Sequence, residues 1–314
     1  MRRAFFSTCV AAVVAVAAVG CTAAAGSELS GADAAQADAA DVDAADADAA
    51  ARELTDAEQV QVDQALELLV RDCMKAEGFR YVPVRVASVE ERQGFGYVLD
   101  DVGWAREHGY GLELESRVVE IQQNDPNHAY ANALPEPERL RWSTALDGDP
   151  ADGMLTAELP MGGTVQTPRD SCFTQAKDEL YGDFAAWFQA EKVATNLVGI
   201  YAEDIIADER FEVELAAWSD CMSRRGHDYP DPPAIREDLP GLVKGLSDEK
   251  ARAVEKELAV AEATCAVRET SLVSTARDLE DEYRGELEQY QDSVADYQRM
   301  QVVALDHARR VLAR

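Results

Sequence analysis

Six cysteines and four histidines are the residues whose types could ligate a metal, act as nucleophiles or form covalent bridges. They are Cys9, Cys21, Cys73, Cys172, Cys221 and Cys265, with His108, His128, His227 and His307. Zinc sites bring cysteines or histidines together at short intervals. Here no two cysteines stand at C-x-x-C spacing and the histidines are scattered, so no metal site is expected. The same spacing argues against a dithiol redox pair. Glu107-His108, beside Trp104, is the nearest approach to an acid/base pair. Adjacent residues on a helix point to different faces, which disfavours cooperation between them. Serine-hydrolase elbows, H-E-x-x-H helices, phosphate-binding glycine loops and dinucleotide fingerprints are all absent from the sequence. The chain is therefore expected not to be an enzyme, with no catalytic residue and no cofactor.

The N-terminus assigns the first two cysteines. Arg2 and Arg3 precede an uncharged stretch from Ala4 to Gly20, in which Val10 to Val19 is continuously apolar. A membrane-spanning helix needs about 20 such residues. A shorter, alanine-rich run followed by small residues reads as the apolar core of a secretory leader. Ala18-Val19-Gly20-Cys21 resembles the lipobox of bacterial lipoproteins. The resemblance implies cleavage after Gly20 and a diacylglycerol on the Cys21 thiol, and two acyl chains make a stable anchor. Arg2-Arg3-Ala4-Phe5-Phe6 also resembles the twin-arginine export motif, which leaves the general and twin-arginine routes both open. From Ser27 to Arg52 the chain repeats Ala and Asp, with Asp33, Asp38, Asp41, Asp43, Asp46 and Asp48. Like charges repel and nothing large can pack, so residues 21–52 are expected to form an extended tether.

Charge narrows the partners. Sixty acidic residues face 30 basic ones, for a net charge of −30. Such a surface repels phosphate backbones and anionic headgroups, which excludes nucleic acid and leaves the lipid as the membrane attachment. The acidic turn Asp147-Gly148-Asp149-Pro150-Ala151-Asp152-Gly153, with Glu158 further on, resembles a calcium loop. Ala151 stands where an oxygen ligand belongs and the glycine falls one place late, so an acidic turn is the expectation.

Cys9 leaves with the leader and Cys21 carries lipid, so Cys73, Cys172, Cys221 and Cys265 remain. Four cysteines in an exported chain read as two disulfides. Asp72-Cys73-Met74 is followed by Gly78 and Tyr81, and Asp220-Cys221-Met222 by Gly226 and Tyr229. The shared pattern D-C-M-x-x-x-G-x-x-Y, each time closing an apolar-periodic helix, suggests a duplicated unit. Each copy would then join its first cysteine to the next downstream: Cys73 to Cys172, and Cys221 to Cys265. Cys221-Met222-Ser223-Arg224-Arg225-Gly226-His227-Asp228-Tyr229-Pro230-Asp231-Pro232 resembles the C-M-R-x-x-G-x-x-Y-P-D-P signature of a family of small actinobacterial secreted and lipoprotein-like proteins. Ala263-Thr264-Cys265-Ala266 fits the alanine-flanked later cysteine of that family. The first unit departs from it, with Val82-Pro83-Val84 in place of the P-D-P ending. Its insert is similar again in Gly94-Phe95-Gly96-Tyr97, His108-Gly109-Tyr110-Gly111 and Leu134-Pro135-Glu136-Pro137-Glu138-Arg139. The resemblance implies export and disulfides and carries no activity.

The elements that must position these cysteines are helices. Much of the 47% apolar content is alanine, a strong helix former that buries little area. Thr55-Asp56-Ala57-Glu58 is a capping box opening a helix with the stripe Val62, Leu66, Leu69 and Cys73, ended by Gly78. Between Arg85 and Pro168 the pattern breaks into loops with short helices around Asp100 to His108 and Pro137 to Leu146. Near-helical spacing then runs from Phe173 to Met222, predicting one long helix or two with a break near Gly199. If that helix is continuous, a Cys172–Cys221 bridge is ruled out by a separation of about 70 Å. Ser247 is placed to cap the next helix, ahead of Asp248 and Glu249. A seam from Leu272 through Leu279, Tyr283, Leu287, Tyr290, Tyr297 and Ala304 to Val311, with a gap at Gln301, suits an antiparallel or coiled-coil partner.

The expected fold is thus all-α: long antiparallel helices in a hairpin or bundle, with a loop-rich insert and two intrachain disulfides. The expected divisions are a leader (1–20), a lipidated tether (21–52), a first cysteine unit with the insert (53–195) and a second with the long last helix (196–314). The expected role is an interaction or scaffold protein on the outer face of the cytoplasmic membrane, meeting an envelope protein or another copy through its helical surface. The alternative is a ligand-binding accessory lipoprotein of a transporter or a cell-wall sensing system.

Overall fold

A computed structural model describes residues 51–93 and 96–314. The leader, Cys21, nearly all of the tether and Gly94-Phe95 lie outside the described residues. The first helix, α1 (Asp56–Ala76), opens with the capping box: the Thr55 hydroxyl accepts from Glu58 N, and the Glu58 carboxylate accepts from Thr55 N. The helices that follow are short: α2 (Val89–Arg92), α3 (Val102–His108), α4 (Leu112–Gln123), α5 (Pro126–Ala133) and α6 (Glu136–Asp147). An antiparallel hairpin, β1 (Met154–Glu158) with β2 (Thr164–Pro168), pairs Leu155 with Thr167 and Ala157 with Val165. The rest is helical: α7 (Cys172–Tyr181), α8 (Phe184–Ala194), α9 (Val198–Ile206), α10 (Glu209–Arg224), α11 (Pro232–Val243), α12 (Asp248–Thr264), α13 (Leu272–Gly285) and α14 (Gln291–Leu312). The described residues are therefore all-α but for one hairpin.

Where one long helix or two is expected between residues 172 and 224, four are found. Apolar spacing persists because each helix buries one stripe, while local groups end the helices. Asp183 accepts from Ala186 N and Asp208 from Arg210 N, so each starts a new helix and turns the axis. The break expected near Gly199 is present, at residues 195–197, although Gly199 itself lies inside α9. The last seam is likewise divided, by a 3₁₀ turn at Glu288–Tyr290, and a π turn at Cys265–Glu269 sets it off from the helix before it. The gap at Gln301 is filled: its buried side chain donates to the Tyr297 hydroxyl at 2.6 Å.

Two main cores result, and each joins segments far apart in the chain. In the first, α1, α7 and α8 enclose Val62, Val70, Met74, Leu180 and Phe188, and α14 closes it with Ala304, Leu305 and Ala308. The second packs α10, α11, α12 and α13, around Trp218, Met222, Ile235 and Leu272, against Val98, Val102, Trp104 and Tyr110 of the insert. Residues 53–195 and 196–314 therefore do not own a core each: the last helix serves the first core and the insert serves the second. A third cluster, Val193, Leu197 and Tyr201, meets Tyr283, Leu287 and Tyr290.

Candidate functional site

Both disulfides are present, Cys73–Cys172 and Cys221–Cys265, with Cα separations of 5.5 and 5.8 Å. Each fastens the end of one helix of the repeat to a later element. Cys73 is in the last turn of α1 and Cys172 opens α7, which runs antiparallel to α1. Cys221 is in the last turns of α10, and Cys265 follows α12. The two motif copies also close their helices identically. Gly78 and Gly226 adopt φ of 84° and 87°. Phe79 N donates to Met74 O at 2.9 Å and His227 N to Met222 O at 3.0 Å. Bonds from residue six back to residue one, past a left-handed glycine, tie off the last carbonyls of a helix. Met74 and Met222 are fully buried beneath these turns. The tyrosines differ: Tyr81 is buried and donates to Glu67, whereas Tyr229 is half-buried.

Polar chemistry is concentrated where the insert meets α12. Glu262 is fully buried. Its Oε1 accepts from Leu99 N at 2.7 Å and from Arg236 Nη2 at 2.8 Å, and its Oε2 from the Tyr110 hydroxyl at 2.6 Å. About two turns earlier, Glu255 Oε1 accepts from Tyr110 N at 2.9 Å and Leu112 N at 3.1 Å. Burial pushes both carboxyls upward from the ordinary glutamate range, opposed by Arg236 and Tyr110 at Glu262 and by backbone N–H groups at Glu255. The same burial, with Glu262 beside it, raises the Tyr110 phenol. The paired glycines of His108-Gly109-Tyr110-Gly111 serve this contact. A Cβ on Gly109 would stand 2.7 Å from Glu255 Cγ, and one on Gly111 2.7 Å from the Trp104 ring. An enclosed polar network of this kind fixes how the insert docks.

The residues singled out for acid/base or calcium chemistry do not converge. His108 Nε2 is 3.9 Å from Glu107, whose side chain is 75% exposed, and the His108 ring lies against Trp104. In the acidic turn Asp149 accepts from Ala151 N as an ordinary cap, and Glu158 is exposed in β1. Among the described residues no group of three or more His, Cys, Asp or Glu is placed to hold a metal ion.

Two pockets remain. One, of about 350 Å³, is lined by His227, Asp228 and Tyr229 at the end of the second repeat, with Asp238 of α11 and Glu257 and Leu258 of α12. The other, of about 230 Å³, lies where the hairpin meets α6, α7 and α8, and is lined by Asp147, Thr167, Ser171, Thr174 and Lys177, with Phe173 and Phe184. Lys177 Nζ lies 5.8 Å from the Phe184 ring centre and 5.2 Å from that of Trp187. Burial pushes its ammonium below the ordinary lysine value. Asp147 is exposed as a residue, yet partial burial of its carboxyl pushes that group up, against a hydrogen bond from Ser143.

Neither the Glu255–Glu262 network nor Lys177 figures in the sequence reading, although a signal for both exists. Lys177 interrupts the stripe Phe173, Ala176, Leu180, Phe184, and Glu255 and Glu262 stand in three- and four-residue register with Leu258 and Cys265. A charge in an apolar stripe is a buried charge that needs a partner.

No helix among the described residues is long and apolar enough to cross a membrane. Comparison with family models, with curated proteins and with solved structures finds no match to this chain.

Proposed function

We propose that this chain is an exported protein, held by lipid on Cys21 at the outer face of the cytoplasmic membrane, whose helical body is an interaction surface for an envelope protein or a second copy. The observation that carries the location is the pair of disulfides, since such bridges persist in oxidising compartments. The N-terminal pattern ending in Gly20-Cys21 supports the lipid attachment, and the Asp-rich stretch after it supports a body held off the bilayer. The interaction role is supported by apolar side chains exposed where the hairpin turn meets α9. Met161 is 68% exposed, and its sulfur lies where a Cβ on Gly199 would be 2.5 Å away. Val198 and Ile206 on the same helix are 42% and 45% exposed. Exposed apolar groups gathered on an otherwise acidic surface mark contact sites.

Metabolic labelling with radioactive palmitate tests the anchor. The native chain is expected to carry label and fractionate with membranes, and Cys21→Ser to lose both. An unlabelled native chain retaining its leader would overturn the proposal. For the surface, Met161→Glu combined with Val198→Glu is expected to abolish crosslinking of the membrane-bound chain to its neighbours, with the cooperative melt unchanged. Unchanged crosslinking would remove this face from the argument.

A further inference from the structure

The smaller pocket contains two opposite charges that do not neutralise one another. Lys177, on the second turn of α7, has the faces of Phe184 and Trp187 as its close neighbours. The carboxylates that act on it do so at longer range, and each is engaged elsewhere: Glu191 lies 2.9 Å from Lys192, and Asp63 lies 2.6 Å from Arg92. Asp147, closing α6, has the Ser143 hydroxyl and no cation. Among the described residues Lys177 and Asp147 make no ion pair with each other or with a third group. In a chain with 60 acidic and 30 basic residues, a largely desolvated ammonium without a carboxylate of its own is an unexpected arrangement. Buried charges are ordinarily paired, because desolvation is costly and a cation–π contact returns only part of that cost.

The rest of the lining is consistent with a ligand that supplies both missing partners. Ser171 caps α7, and Thr174 stands in its first turn, so the positive end of that helix faces the same pocket as Lys177. Phe173 and Phe184 add apolar wall, and about 230 Å³ admits a molecule of about a dozen heavy atoms or fewer.

We infer that this pocket binds a small zwitterion of the amino-acid class, its carboxylate on Lys177 and the α7 N-terminus, its ammonium on Asp147, and its side chain against the two phenylalanines. The site is separate from the exposed apolar face, so either can fail without the other.

Isothermal titration of the disulfide-bonded chain with glycine, L-leucine and L-phenylalanine tests the inference. Saturable binding of leucine or phenylalanine is expected. N-acetyl-leucine, which lacks the ammonium, and leucinamide, which lacks the carboxylate, should each bind at least tenfold more weakly. Lys177→Met and Asp147→Asn should each weaken leucine at least tenfold. Should either variant fail to melt cooperatively, the two analogues on the native chain carry the test alone. Absence of saturable binding by all three amino acids overturns the inference. So does N-acetyl-leucine or leucinamide binding as well as leucine, or two folded variants binding as the native chain does.

Discussion

Single residues fix how the insert is held. Gly109 has a φ of 65° and leaves no room for a Cβ beside Glu255. Gly109→Ala therefore adds backbone strain and displaces the carboxylate that accepts from Tyr110 N and Leu112 N. A loss of about 1–3 kcal/mol in unfolding free energy is expected, read from the urea midpoint. Gly78→Ala, at another positive φ but with open space around its Cβ, should cost less because only the backbone term applies. Equal losses would show that the contact with Glu255 is unimportant. The His108-Gly109-Tyr110-Gly111 string stands out in sequence; its purpose does not, since Glu255 is 145 positions from Tyr110.

At the scale of elements, the disulfides hold helices together that local propensity would leave independent. The Cys73–Cys172 bridge spans 99 residues and Cys221–Cys265 spans 44. Closing such loops in the unfolded chain stabilises the fold by about 4–5 kcal/mol each, slightly more for the longer. Cys73→Ala with Cys172→Ala, and Cys221→Ala with Cys265→Ala, should each lose that much in urea unfolding, and non-reducing peptide maps of the native chain should join the pairs named. A peptide linking Cys73 to Cys221 would contradict the pairing. The repeated D-C-M-x-x-x-G-x-x-Y makes this part of the fold legible, because one short string contains both the bridge and the helix-ending turn. Helix breaks after residue 172 are less legible. Asp183 and Asp208 are sound capping residues, yet the apolar stripe runs through them unaltered and outweighs them in any periodicity argument.

For the molecule as a whole, charge and burial act on stability in the same direction above mild acidity. Glu67, Asp147, Glu255 and Glu262 have carboxyls raised by burial. The native state holds these protons more tightly than the unfolded chain. Their contribution is complete below the unfolded values and is lost as pH rises through the native ones. Falling pH also relieves the self-repulsion of a body with net charge −30. Glu58, Glu91 and Asp208 behave oppositely: Arg52, Arg85 and Arg210 hold them at about 2, so their contribution is lost as pH falls toward that value. The melting temperature should accordingly rise from about pH 8 to about pH 5.5 and fall below about pH 4. Glu262→Gln should flatten the upper limb. A melting temperature rising steadily from pH 5.5 to 8 would contradict this account.

Helix content, the capping box at Thr55, the helix-ending glycines and the cysteine pairs are determined locally, by residues within a turn or two or by a repeated string. That is why they can be read before any coordinates. Tertiary structure alone decides that α14 closes the first core, that the insert docks on α12, and that Lys177 and Asp147 share a pocket. Each of these joins residues far apart in the chain. Their meeting depends on which apolar faces find each other once the helices pack, and residue order does not encode that directly.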